Sequence, residues 1–155
     1  MRVCYLGGPV DFDDGLGKGW REELIQFASD GKYDMAFYNP PAAFGFGKPS
    51  NDLSGFLFNV NMYALRSSGI ALFRWSKKMV SVGTPIEIYE TYNRIIPMVL
   101  VTDLQDSLTL RYFALKEPGR VVEILPMDAT YRQIMDTLIG IAASHEKSME
   151  EVDNG

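Results

Sequence analysis

Short apolar runs without polar alternation, separated by stretches of helical periodicity, constrain this chain more than any other feature. Arg2 to Leu6 is the first run, and it stops at Gly7-Gly8-Pro9. A run of that kind reads as a strand buried on both faces and followed by a loop. Trp20, Leu24, Phe27 and Ala28 then recur at helical spacing, and Gly31 closes that helix. Tyr33 to Tyr38, Ile70 to Trp75, Ile96 to Val101 and Val121 to Leu125 are the further strand candidates, and Arg111 to Leu115 reads as a short extra one. A second helix carries Leu53, Phe56, Leu57, Val60 and Ala64 on one face, with Asp52 placed to cap it. A third contains Glu87. The last carries Tyr131, Ile134, Met135, Leu138, Ile139 and Ala142, with Asp128 where an N-cap belongs. This alternation predicts an α/β domain of three layers, built on a mainly parallel five-stranded sheet with the first strand interior.

In such sheets ligands bind beyond the carboxyl ends of the strands. Three loops follow strands, at residues 7 to 19, 39 to 52 and 76 to 84, and all should gather at that edge. The 155 residues suit one domain with a real core. It is expected over residues 1 to 145, with 146 to 155 as a polar, frayed tail. A formal charge of -5 argues against a nucleic-acid backbone or an anionic membrane as partner. No apolar run reaches the length of about 18 residues that a membrane span needs. Cys4, the only cysteine, lies in an apolar run, which points to a buried thiol in a reducing compartment. With one cysteine and one histidine, His145 near a helix end, a His/Cys zinc site is disfavoured. We expect a cytoplasmic protein with neither metal nor cofactor.

The candidate chemistry sits in a few side chains. Glu87, between Ile86 and Ile88, lies about one turn into a helix beginning near Gly83-Thr84. The helix dipole there favours an ionised carboxylate, which could act as a nucleophile. Thr84-x-x-Glu87 also matches a capping box, and on this stretch alone both readings stand. Tyr5 ends the first strand beside the crevice, as a core aromatic or a site residue. Asn61 borders the apolar stripe of its helix. "GLGKG" lacks the spacing and the Ser/Thr of a nucleoside-triphosphate loop. Asp11, Asp13 and Asp14 read as a solvated loop ahead of a hard-metal site. Phe12, Trp20, Phe44 and Phe46 either stack on a flat ligand or pack the loops.

Taken together, "VCYLGGPVDF" at 3 to 12, "NMYALRSSGIAL" at 61 to 72, "SVGTPIEIYE" at 81 to 90 and "IPMVLVTD" at 96 to 103 resemble the nucleoside 2-deoxyribosyltransferase family. Related nucleoside 5'-monophosphate N-glycosidases share the pattern. The resemblance spans roughly residues 1 to 105. It implies a flavodoxin-like fold and cleavage of an N-glycosidic bond. By that likeness Glu87 attacks the anomeric carbon, Tyr5 orients it, and a second base or water takes the sugar. The motif residues Gly7, Gly8, Pro9, Gly83 and Thr84 come with it as substrate-binding positions. The family completes each site from a neighbouring subunit, which implies a homo-oligomer, at least a dimer. Ser107 and Thr109, after the fourth strand, are the candidates for that contribution.

The chain departs from the pattern at Asn61. The family usually has an Asp there to handle the proton of the departing base, and Asn is no general acid but can hydrogen-bond a base edge. Gly69 replaces another frequent Asp. Ser81 matches the monophosphate hydrolases, where it contacts phosphate, whereas Pro9 and Asp11 match the transferases. Three functions therefore follow: sugar transfer between bases, hydrolysis of a nucleoside 5'-monophosphate, and nucleoside or nucleotide binding without turnover.

Overall fold

The computed structural model describes residues 2–9, 19–43, 51–79, 81–104, 106–113 and 120–153. The strands among them are β1 Arg2–Gly7, β2 Met35–Tyr38, β3 Ile70–Trp75, β4 Met98–Thr102 and β5 Val122–Leu125. They alternate with helices α1 Trp20–Asp30, α2 Pro40–Ala43, α3 Asn51–Arg66, α4 Gly83–Asn93, α5 Leu108–Phe113 and α6 Tyr131–Asp153. All strand pairs are parallel, in the order β2-β1-β3-β4-β5. This is the flavodoxin-like order, with β1 interior as expected.

The unalternating apolar runs exist because each central strand is covered twice. Cys4, Leu6, Ile70, Leu72, Val99 and Val101 point into a core shared with Leu24 and Ala28 of α1 and Ile134, Met135 and Leu138 of α6. The intervening Tyr5, Ala71, Phe73, Met98 and Leu100 point the other way, onto Met62 and Leu65 of α3 and Ile88 and Tyr92 of α4. Strand periodicity thus places Tyr5 on the α3–α4 side. The order of connections reverses between β1 and β3, and in such sheets ligands bind beyond the carboxyl ends of the strands at that point. Beyond β3, Asp103 accepts hydrogen bonds from the Lys77 backbone N–H at 2.7 Å and Ser76 Oγ at 2.9 Å, pinning the loop that leads to α4.

Several local expectations are corrected. The extra strand at Arg111 to Leu115 is instead the end of α5, because Leu110 and Phe113 sit one helical turn apart and both are buried. Leu115 lies outside the described residues. Asp128 does not cap α6. Thr130 and Gln133 form a reciprocal capping pair, with Gln133 N–H donating to Thr130 Oγ1 and Thr130 N–H donating to Gln133 Oε1. Asp52 lies inside α3, which begins at Asn51. Gly31 does close α1 as expected, as a C-cap in right-handed geometry, and Lys32 takes the left-handed turn with φ 54°. Among the described residues no helix is long and apolar enough to cross a membrane.

Candidate functional site at the carboxyl edge of β1 and β3

Helix α4 starts just past β3, and its first turn fixes where Glu87 points. Val82 is the N-cap and gives no side-chain hydrogen bond. That makes Pro85 the third helical residue and puts Glu87 beyond the position from which a capping-box carboxylate folds back. Ser81 does the capping instead. Its Oγ accepts the Thr84 N–H at 3.1 Å and shares a proton with Thr84 Oγ1 at 2.8 Å. Glu87 is released from that role and reaches across to β1. Tyr5 Oη donates to Glu87 Oε1 at 2.7 Å. The distance is that of a charge-assisted hydrogen bond to a carboxylate.

Tyr5 is fully buried. Its ring stacks on Tyr38 at the end of β2, with centroids 5.7 Å apart and planes 14° from parallel, and it also meets Phe73. Burial, then the charge and hydrogen bond of Glu87, hold the Tyr5 phenol protonated far above its ordinary range. Tyr38 Oη in turn donates to Asn61 Oδ1 at 3.1 Å. Asn61 is therefore tied to the Tyr5–Glu87 pair through one stacked tyrosine.

The glycines of the β1 turn are dictated by this packing. A methyl group on Gly7 would sit 2.2 Å from the Phe73 ring and 3.2 Å from Glu87 Oε2. Gly8 has φ 151°, and a methyl group there would lie 2.7 Å from the Arg74 carbonyl oxygen. Both positions need the bare backbone. Gly7, Gly8 and Pro9 are all buried. Gly83 opens α4 with open space around it.

Two residues here escape the sequence reading. Arg21, in the first turn of α1, is only 3% exposed. It donates from Nε to the Leu6 carbonyl at 3.2 Å and from Nη2 to the Gly8 carbonyl at 3.0 Å. A cation at a helix start opposes the macrodipole, and that mismatch was the available signal. Asn39, just past β2, is 8% exposed and donates to Glu22 Oε1 at 3.1 Å, while its Oδ1 has no partner among the described residues. Nothing in "YNPP" marks it out.

Other sequence candidates are placed differently. Trp20 is buried in the α1–α6 core, and the Arg21 guanidinium lies 4.7 Å from its ring centroid, so its face is occupied by packing. Asp11, Phe12, Phe44 and Phe46 lie outside the described residues. Ser107 precedes α5, where its carbonyl accepts the Arg111 N–H, and the backbone of Thr109 lies inside that helix. Among the described residues no group of three or more His, Cys, Asp or Glu could hold a metal.

Chemically, the edge offers one half-buried carboxylate, fixed by a buried phenol at the topological switch point. The fold as a whole is similar to solved structures. One solved structure similar to this chain is the 2-deoxyribosyltransferase of the psychrotolerant bacterium Bacillus psychrosaccharolyticus, with a TM-score of 0.62 over 86% of this chain and 90% of that one. This chain has the fold of a 2-deoxyribosyltransferase. Sequence identity is 13%. A conserved protein of Enterococcus faecalis V583 superposes equally well, with a TM-score of 0.61, 13% identity and coverage of 90% and 98%. No family model matches the sequence, and no curated protein does.

Proposed function

We propose that the chain is a nucleoside deoxyribosyltransferase-like enzyme, which cleaves the N-glycosidic bond of a (deoxy)nucleoside and passes the sugar to another base. The observation that carries this reading is the 2.7 Å hydrogen bond from Tyr5 to Glu87, made while Ser81 relieves Glu87 of helix capping. A carboxylate so held is oriented for attack and kept from turning back onto its helix. In the first displacement a Glu87 oxygen bonds to the anomeric carbon, and the C–N electron pair leaves with the base, which takes a proton from water. In the second, a nitrogen of the incoming base attacks that carbon and the C–O pair returns to Glu87. The incoming base loses its proton to water. Two displacements retain the anomeric configuration. The solved 2-deoxyribosyltransferase of the same fold supports this class.

Asn61 supplies no proton, so its proposed role is to hold a base edge through its amide. In this reading the β1 turn and the start of α4 line the sugar site, with Asp11 and the loop aromatics Phe12, Phe44 and Phe46 as candidate contacts. Ser107 and Thr109 are proposed to serve the site of a neighbouring copy.

Incubation with deoxynucleosides and with 5'-monophosphates, each with and without a free acceptor base, tests the proposal. Base exchange is the expected product. Free base formed without an acceptor would favour the monophosphate N-glycosidase, for which Ser81 would be the phosphate contact although Thr84 already engages its hydroxyl. Binding without products would leave a ligand-binding protein.

A further inference from the structure

Tyr38 ends β2 in register with Tyr5, so both rings lie on the α3–α4 side of the sheet. The near-parallel stack of the two rings fixes the Tyr38 phenol in place. Its hydroxyl donates to Asn61 Oδ1 at 3.1 Å, joining β2 to α3. Burial keeps that hydroxyl protonated. A phenol has one proton to give, and among the described residues Asn61 Oδ1 is the acceptor it reaches. The carbonyl end of the planar amide is thereby turned toward Tyr38. The Nδ2 end keeps two N–H donors, which have no partner among the described residues. Asp11, Asp13 and Asp14 lie outside the described residues.

We propose that Tyr38 is a positioning residue that holds the Asn61 amide with its N–H donors toward the departing base, a role that rests on the function proposed above. When the C–N bond breaks, its electron pair stays on the base nitrogen. The charge spreads over the ring nitrogens and carbonyl oxygens of the base. Asn61 has no proton to give up, but its N–H groups can donate to the atoms on which that charge develops. A donor fixed in advance stabilises the developing anion without having to reorganise, as in an oxyanion hole. The proton that neutralises the base then comes from water. Turned about, the amide would present its oxygen and repel the same charge. Tyr38 removes that alternative, because its own proton needs the oxygen. The site thus works by anion stabilisation in place of proton donation, and it favours bases that are acidic at the glycosidic nitrogen.

The test pairs bases of similar shape and different acidity. 5-Nitrouracil and 8-azahypoxanthine are anions at neutral pH, whereas uracil and hypoxanthine are neutral. In calorimetry, wild type should bind at least one anion roughly tenfold more tightly than its neutral counterpart. Tyr38→Phe keeps the ring stack but frees the amide, and it should bring the two within about threefold. In turnover the donors are deoxyuridine with 5-fluorodeoxyuridine, and deoxyinosine with 8-azadeoxyinosine. Tyr38→Phe should lower kcat/KM roughly tenfold for the less acidic base of a pair and clearly less for the more acidic one. A merely structural tyrosine would lower both alike, and that result overturns the proposal. So does an anion preference that is absent from wild type or unchanged in Tyr38→Phe. If Tyr38→Phe does not fold, the side-chain amide resonances of Asn61 in wild type decide, assigned by their absence in Asn61→Asp. They should move downfield with the anionic bases and hardly at all with the neutral ones, and resonances that ignore the anions overturn the proposal. If wild type forms no products, the functional reading fails while the binding ratio still decides whether Tyr38 orients Asn61.

Discussion

At the scale of single residues, the site is a chain of small dependencies that begins with a buried phenol. Tyr5 stays protonated in the fold far above the range in which an unfolded tyrosine ionises, because burial and the Glu87 charge oppose the phenolate. Above about pH 10 the unfolded chain therefore holds fewer protons than the folded one, and stability falls as pH rises. Tyr131, pushed up to about 12 by burial and by its hydrogen bond to Glu23, adds to the slope with the same sign. Tyr5→Phe should flatten the alkaline slope measured by urea unfolding, while costing about 2 kcal/mol at neutral pH through the lost hydrogen bond to a charged acceptor. An unchanged slope would remove the Tyr5–Glu87 coupling. Asn61 gives a second test: Asn61→Asp puts an acid where the resembling family keeps one, and the rate of base release should rise. No gain would mean that proton supply is not limiting. Motif spacing picked out Tyr5, Asn61 and Glu87 as candidates, and the fold links them through Tyr38. Arg21 and Asn39 were not picked out, since their significance comes from burial and partners that only the folded chain supplies.

At the scale of elements, the β1 turn and the start of α4 are mutually fitted. The strand can end against Phe73 and Arg74 only with glycine at both positions. Gly8→Ala meets a backbone oxygen and a backbone angle that L side chains rarely adopt. It should cost about 1–3 kcal/mol, read as a lower Tm. If Gly8→Ala melts with wild type, the close approach to Arg74 is not present in solution. The strands and helices were legible from periodicity, because burial on both faces leaves an unmistakable apolar run. Caps were less so. "SVGTPIE" contains two polar residues able to cap, and choosing Ser81 over Thr84 requires knowing where the helix begins. The short α5 was misread as a strand because six residues give too little periodicity to distinguish the two.

At the scale of the whole molecule, the parallel order of the sheet brings β1, β3 and α4 to one edge, and this followed from the alternation of elements alone. What alternation does not encode is association. Among the described residues α3, α4 and α5 carry exposed apolar side chains, including Tyr63 at 74%, Ile86 and Tyr89, and Leu108 at 82%. This accords with the proposed homo-oligomer. Light scattering on a sizing column should give at least twice the chain mass, and charged substitutions at Tyr89 and Leu108 should lower it. A monomer at micromolar concentration would set that expectation aside.

The central claim is that Glu87 becomes covalently attached to the sugar. Rapid acid quench of the protein with a deoxynucleoside, followed by peptide mass mapping, measures this directly. The account predicts a deoxyribosyl increment on the peptide containing Glu87, lost in Glu87→Gln together with base release although the nucleoside still binds. Unmodified Glu87 in a protein that turns over, or turnover that survives in Glu87→Gln, would contradict it.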